Sequence, residues 1–125
     1  MSSSYRDLVV WAMDLTEEIY KATCNFPKKK LYGLVSQLRR ASVSVASNIA
    51  EGQGRLRSGE FRHFLGVARG SLLQIETRVL LAERLRMLGR QTVESVLSRS
   101  GESECFTDWL NLSWNRQQLE TETRN

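Results

Sequence analysis

GEFRHFLGVARGSLLQIETRVLLAERLRM, residues 59–87, decides the architecture. Phe61, Phe64, Leu65, Ala68, Leu72, Ile75, Val79, Ala82 and Leu85 recur at steps of three and four, which stacks them on one face of a 3.6-residue helix. At about 1.5 Å per residue the helix runs roughly 40 Å. A rod of that length with a single apolar stripe needs other helices laid along it. Gly66 and Gly70 lie inside it, and each costs up to about 1 kcal/mol relative to alanine. Their four-residue spacing suggests a tight crossing with another helix.

Working outward, Ser58 stands where an N-cap belongs, with Glu60 in the first turn favoured by the helix dipole. Before it, Glu51-Gly52-Gln53-Gly54 ends a second helix, with Gly52 offering the left-handed conformation of a C-terminal cap. That helix spans about 28–51, and its stripe is Leu31, Leu34, Val35, Leu38, Ala41, Val45 and Ile49. Its second half is rich in small residues, serine and alanine, and the serines, mediocre helix formers, make it locally costly and therefore a sign of close packing. Asn25-Phe26-Pro27 separates it from a first helix over 6–23 with the stripe Leu8, Trp11, Ala12, Leu15, Ile19 and Ala22. On the other side, Leu88-Gly89 closes the long helix. A fourth follows over about 91–116, carrying Val93, Val96 and Leu97, then Phe106, Trp109, Leu110 and Leu112. Ser98 to Gly101 is its weakest stretch. The expected fold is all-α, one antiparallel up-down four-helix bundle over 1–125.

The chain carries 18 Lys and Arg against 14 Asp and Glu, a net charge of +4. The excess is concentrated. Lys28, Lys29, Lys30, Arg39, Arg40, Arg55, Arg57, Arg62 and Arg69 face only Glu51 and Glu60 in the same stretch, nine cations against two acids and a net +7. Arg62 and Arg69 are two helical turns apart, so they share a flank. A basic strip across helices two and three points to phosphate contacts with RNA or DNA. A solvated face, or pairing with another protein's acids, is the competing reading. Trp109 and Trp114, five apart, cannot both face one core, and an exposed tryptophan suggests a protein interface.

Catalytic and cofactor chemistry find no footing. The single histidine, His63, has Glu60 three residues before it but lies in no motif that adds a nucleophile, so it reads as a structural or surface residue. Cys24 and Cys105 fit no metal-ligand spacing, and two lone thiols suggest a reducing, cytoplasmic compartment. Gly52-Gln53-Gly54 is preceded by no strand and followed by no Gly-Lys-Ser/Thr, so it is no phosphate loop. A di-iron bundle needs two Glu-x-x-His motifs, and a chain with one histidine, at Glu60-x-x-His63, cannot supply both. No apolar run approaches the roughly 18 residues of a membrane span. The expectation is a non-enzymatic protein without cofactor or metal.

Several stretches resemble one family. Leu8-Val-Val-Trp-Ala-Met-Asp-Leu15 looks like its opening helix, and Phe26-Pro27 with Leu31-Tyr-Gly-Leu34 its first turn. Gln37-Leu-Arg-Arg-Ala41 leads into Ser44-Val-Ala-Ser-Asn-Ile-Ala-Glu-Gly52, similar to its most distinctive motif, and Phe61 to Leu65, Ala68 to Leu72 and Ile75-Glu-Thr77 complete the likeness. The chain resembles the 23S ribosomal RNA intervening-sequence proteins over roughly 8–88. It departs in having Ala46 where proline is usual and Lys29 and Lys30 near usual acids, which makes that end more basic. The resemblance implies a cytoplasmic, often pentameric bundle without known catalysis. A related branch, the accessory variability proteins of diversity-generating retroelements, binds a reverse transcriptase and its nucleic acid. Of the motif residues, Ser44, Asn48, Glu51, Gly52, Ser71 and Glu76 are expected to be structural. Asn48 and Glu51 would satisfy backbone groups of the following helix or loop, and Ser71 and Glu76 would complete one buried polar network.

Overall fold

The computed structural model describes residues 5–26, 33–55 and 58–101. Four helices follow in order: α1 (Tyr5–Thr23), α2 (Leu34–Gln53), α3 (Ser58–Arg84) and α4 (Arg90–Gly101). The described residues hold no strand. Four sets of contacts fix the register. Thr16 and Thr23 of α1 meet Ser42 and Arg39 of α2. Ser44 meets Ser71, and Gln37 meets Arg78, between α2 and α3. Glu76 and Glu83 of α3 meet Ser100 and Arg90 of α4. Trp11 and Glu18 of α1 meet Arg99 and Ser95 of α4. In each pair the numbers rise on one helix as they fall on the other, so all four neighbouring pairs are antiparallel. The bundle is up-down, with α1 diagonal to α3.

The core is the one the periodicity picks out. Leu8, Ala12, Leu15 and Ile19 from α1, Leu38, Ala41, Val45 and Ile49 from α2, and Leu65, Ala68, Ile75 and Val79 from α3 are buried together, closed by Val93 and Val96 of α4. Each large side chain so buried contributes about 1.5–3 kcal/mol relative to exposure. Phe64 and Trp11 are half-buried at the edge, and Leu85, expected in the stripe, is exposed beyond the end of α3.

The ends of the helices correct several expectations. α2 begins at Leu34, not at 28, because Gly33 has φ +76°, a conformation that interrupts any helix arriving from Lys28. Lys28 to Lys30, Leu31 and Arg57 lie outside the described residues, as does the fourth helix beyond Gly101 with Cys105, Trp109 and Trp114. Gly52 is no left-handed cap. It is a buried residue within α2, and Gly54, which follows the helix, keeps a right-handed φ of −76°. A methyl group on Gly52 would stand 3.0 Å from Phe64 Cβ and 3.3 Å from the Phe61 carbonyl oxygen. Gly52 is therefore the residue that lets α2 and α3 close up. Gly66 and Gly70, expected at a crossing, are exposed and would meet nothing within 4 Å.

α3 ends at Arg84, earlier than residue 87, and the turn is made by Arg86 rather than by Leu88-Gly89. Arg86 has φ 58°. Its N–H donates to Glu83 O (3.0 Å), and Met87 N–H donates to Ala82 O (2.8 Å). This pair of bonds is the Schellman closure, with arginine in the left-handed position glycine usually takes. α4 runs unbroken through Ser98 to Gly101, and Ser100 within it is buried.

Candidate functional site

The signature residues divide into two polar junctions and an exposed pair. Ser44 and Ser71 share a hydrogen bond of 2.8 Å across the α2–α3 seam, and Asn48 Nδ2 donates to both the Ser44 carbonyl (2.8 Å) and its hydroxyl (3.0 Å). Asn48 therefore braces its own helix and makes no bond to the next helix or loop among the described residues. Glu76 belongs to a different place: its carboxylate accepts from the buried Ser100 hydroxyl of α4 at 2.6 Å. Glu51 is exposed and pairs with Arg55, just beyond the end of α2, at 2.6 Å. The single network expected from the sequence is two separate clasps, one on each side of α3.

The basic residues are not one continuous strip. Arg39 is half-buried and committed to its own fold: Nε donates to Thr23 Oγ1 at 2.8 Å, and its guanidinium lies 4.7 Å over the Tyr20 ring. Arg55, besides pairing with Glu51, covers Phe64 at 4.7 Å in the α2–α3 groove. Arg62 is half-buried and partnered. Arg62, Arg69, Glu76 and Glu83 follow at seven-residue intervals on one flank of α3, and the two acids reach α4. Arg69 therefore leans to the α4 side, away from Arg55. Arg40 and Arg69 are exposed, and neither makes an ion pair with a described residue.

Three open depressions surround α1, each with its own chemistry. One, of about 420 Å³, is lined by Asp14, Glu17, Glu18, Lys21 and Arg99. Lys21 hydrogen-bonds Glu17 at 2.8 Å. That bond, with the charge behind it, holds the Glu17 carboxyl below and the Lys21 amine above their ordinary values. A second, also about 420 Å³, is apolar, between α1 and α2: Val10, Met13, Val43 and Ala46 form its surface, and Asp14 and Glu17 lie on its rim. The third, of about 410 Å³, is lined by Tyr20, Ser36, Arg39, Arg40 and Val43, with two guanidinium groups and, among the described residues, no acid. Sequence reasoning missed Tyr20 and Ser36, because nothing in the spacing of α1 shows that Tyr20 will meet Arg39. Among the described residues, no cluster of His, Cys, Asp and Glu is suited to a metal ion, and no helix is long and apolar enough to cross a membrane. His63 is exposed, edge-on to Phe64.

Fold and site define an antiparallel helical bundle whose polar residues are spent on holding helices together and whose surface carries charge in separate patches. The profile of the 23S rRNA-intervening sequence protein family matches residues 6–105. The chain belongs to that family. A solved structure similar in fold is a protein of unknown function from the S23 ribosomal protein family of Bacteroides thetaiotaomicron, with a TM-score of 0.63 and 18% identity over 87% of this chain and 94% of that one. Comparison with curated proteins gives no match.

Proposed function

We propose that this chain is a non-enzymatic bundle that self-associates and binds nucleic acid, RNA or DNA, through arginines left open on α2 and α3. The observation that carries this reading is the pair Arg40 and Arg69, exposed and without an ion pair to any described residue, within a segment of net +7. Open guanidinium groups contact phosphates without reading sequence, and the affinity they supply falls steeply with salt. The family's name, tied to an intervening sequence of ribosomal RNA, accords with an RNA partner.

On one copy Arg40 and Arg69 stand on different sides, so a strand that uses both must pass from copy to copy, and assembly would raise avidity without new contacts. A second copy suits the apolar depression between α1 and α2. Its rim carries Asp14 and Glu17, while the outward side of α3 offers exposed Leu73, Leu80 and Leu81 beside Arg84. Two different surfaces meeting in this way make a head-to-tail interface, which closes into a ring when the rotation allows. Five subunits is the number the family resemblance implies.

Binding of a labelled single-stranded RNA, followed by anisotropy across a salt series, tests this reading. Arg40→Gln combined with Arg69→Gln should lower affinity and flatten the salt slope, whereas Arg55→Gln, already neutralised by Glu51, should change little. A double variant indistinguishable from the parent removes the proposal. The same exposed leucines favour a second reading, an adaptor for another protein such as a reverse transcriptase. Capture of that partner should then survive nuclease treatment.

A further inference from the structure

The depression lined by Tyr20, Ser36, Arg39, Arg40 and Val43 combines an aromatic plane, two cations and a hydroxyl, with no carboxylate among the described residues that line it. Its parts are held in place. Thr23 is fully buried, and its hydroxyl donates to Ile19 O at 2.9 Å while accepting Arg39 Nε at 2.8 Å. Pinned there, the Arg39 guanidinium lies 4.7 Å from the Tyr20 ring centroid, so ring and guanidinium form a fixed pair of planes. Tyr20 keeps 42% of its surface exposed. Arg39 is thus unavailable as a mobile phosphate ligand, but its planar group and the ring it covers make a platform. Arg40 and Ser36 beside it make no side-chain hydrogen bond or ion pair with a described residue and can meet an anion.

We propose that this depression takes an unpaired nucleotide of a single strand, with the base stacked on the Tyr20–Arg39 platform and its phosphate on Arg40 and Ser36. The proposal rests on the nucleic-acid reading above and narrows it to single-stranded chains. Unstacked bases lie on aromatic rings and guanidinium planes alike, and every base has a face to offer, so such a site is tolerant of sequence. A base inside a duplex is already stacked on both sides and cannot reach the platform. The volume, about 410 Å³, falls within the roughly 300–1,000 Å³ of small-ligand sites. Its openness suits a polymer that enters and leaves along the α1–α2 groove.

The test uses the full chain with a labelled ten-nucleotide single-stranded RNA of mixed sequence and the duplex of the same sequence. Tyr20→Leu should weaken single-strand binding about tenfold, the scale of one lost base stack, and leave duplex binding within about twofold. Tyr20→Phe, which keeps the ring, should bind as the parent does. Tyr20 is outside the core, so Tyr20→Phe should leave the melting curve unchanged and Tyr20→Leu should shift it only slightly, by the loss of its contact with Arg39, with both variants folded under the binding conditions. If Tyr20→Leu leaves single-strand affinity unchanged, or weakens strand and duplex alike, the platform is wrong. In that case a loss still seen with Arg40→Gln and Arg69→Gln together leaves the broader reading standing. A parent chain that binds neither RNA overturns both.

Discussion

The two seams of α3 are built on different physics. Against α2 it packs by size and shape. Gly52 admits Phe64 and Phe61 at the limit of contact, and the polar links are the part-buried Ser44–Ser71 bond and an exposed bond from Arg78 to the Gln37 carbonyl. Against α4, over the described residues to Gly101, contact is thinner and more of it is polar. Ser100 donates to Glu76, and Arg90 bonds both Glu83 and Glu94. On the neighbouring seam with α1, Arg99 pairs with Glu18 at 2.5 Å, while the Trp11 indole donates to the Arg99 carbonyl at 2.8 Å. Among the described residues, α2 and α3 form the more closely packed half of the bundle, and α4 adds to its buried Val93 and Val96 several polar links that stand partly open to water and salt.

The largest effect should come from the tight seam. Gly52→Ala asks Phe64 Cβ and a backbone carbonyl to move, and overpacking of this kind costs about 1–3 kcal/mol, read as a lower denaturation midpoint. A helix-propensity gain instead of a loss would mean the two helices separate easily, and the contrast between seams would vanish. Next, Ser44→Ala strands the buried Ser71 hydroxyl and should cost about 1 kcal/mol. Removing both hydroxyls should recover part of that loss, as a double-mutant cycle in urea will measure. Smaller again, Arg99→Gln on the α4 side should cost about 0.5–1 kcal/mol, with much of the difference gone in high salt. Deuterium uptake by α4 should rise in this variant while α2 stays protected.

The smallest effect is a pH dependence at the rim. The Lys21 hydrogen bond depresses the Glu17 carboxyl, so whatever stability the pair contributes is present above the ordinary carboxylate pKa and is lost as pH falls through the depressed value. Both groups are fully exposed, so the change should be slight and should disappear in Glu17→Gln.

Helical periodicity made the core legible: the buried faces of α1, α2 and α3 are the stripes spaced by three and four. The period of one helix shows which side is buried but not what a neighbour brings to it. For that reason Gly52 passed for a cap and Gly66 and Gly70 for a crossing, although all three are the same residue type in helical surroundings. Arg86 was illegible because a left-handed arginine has no signature of its own, and Gly33 because a leucine stripe ran on through it. At the candidate site, Arg39 read as one more phosphate ligand. Only the approach of Thr23 and Tyr20 from another helix shows it to be part of a plane. Charge concentration was legible, but its division between the two sides of α3 was not, since a count carries no direction.

Light scattering on the chromatographed full chain, with and without a twenty-nucleotide single-stranded RNA at low salt, tests most directly whether open arginines on assembled copies hold a polyanion. A multi-subunit mass that increases by the mass of bound RNA is the predicted result. A monomer whose mass and elution the RNA leaves unaltered would contradict it.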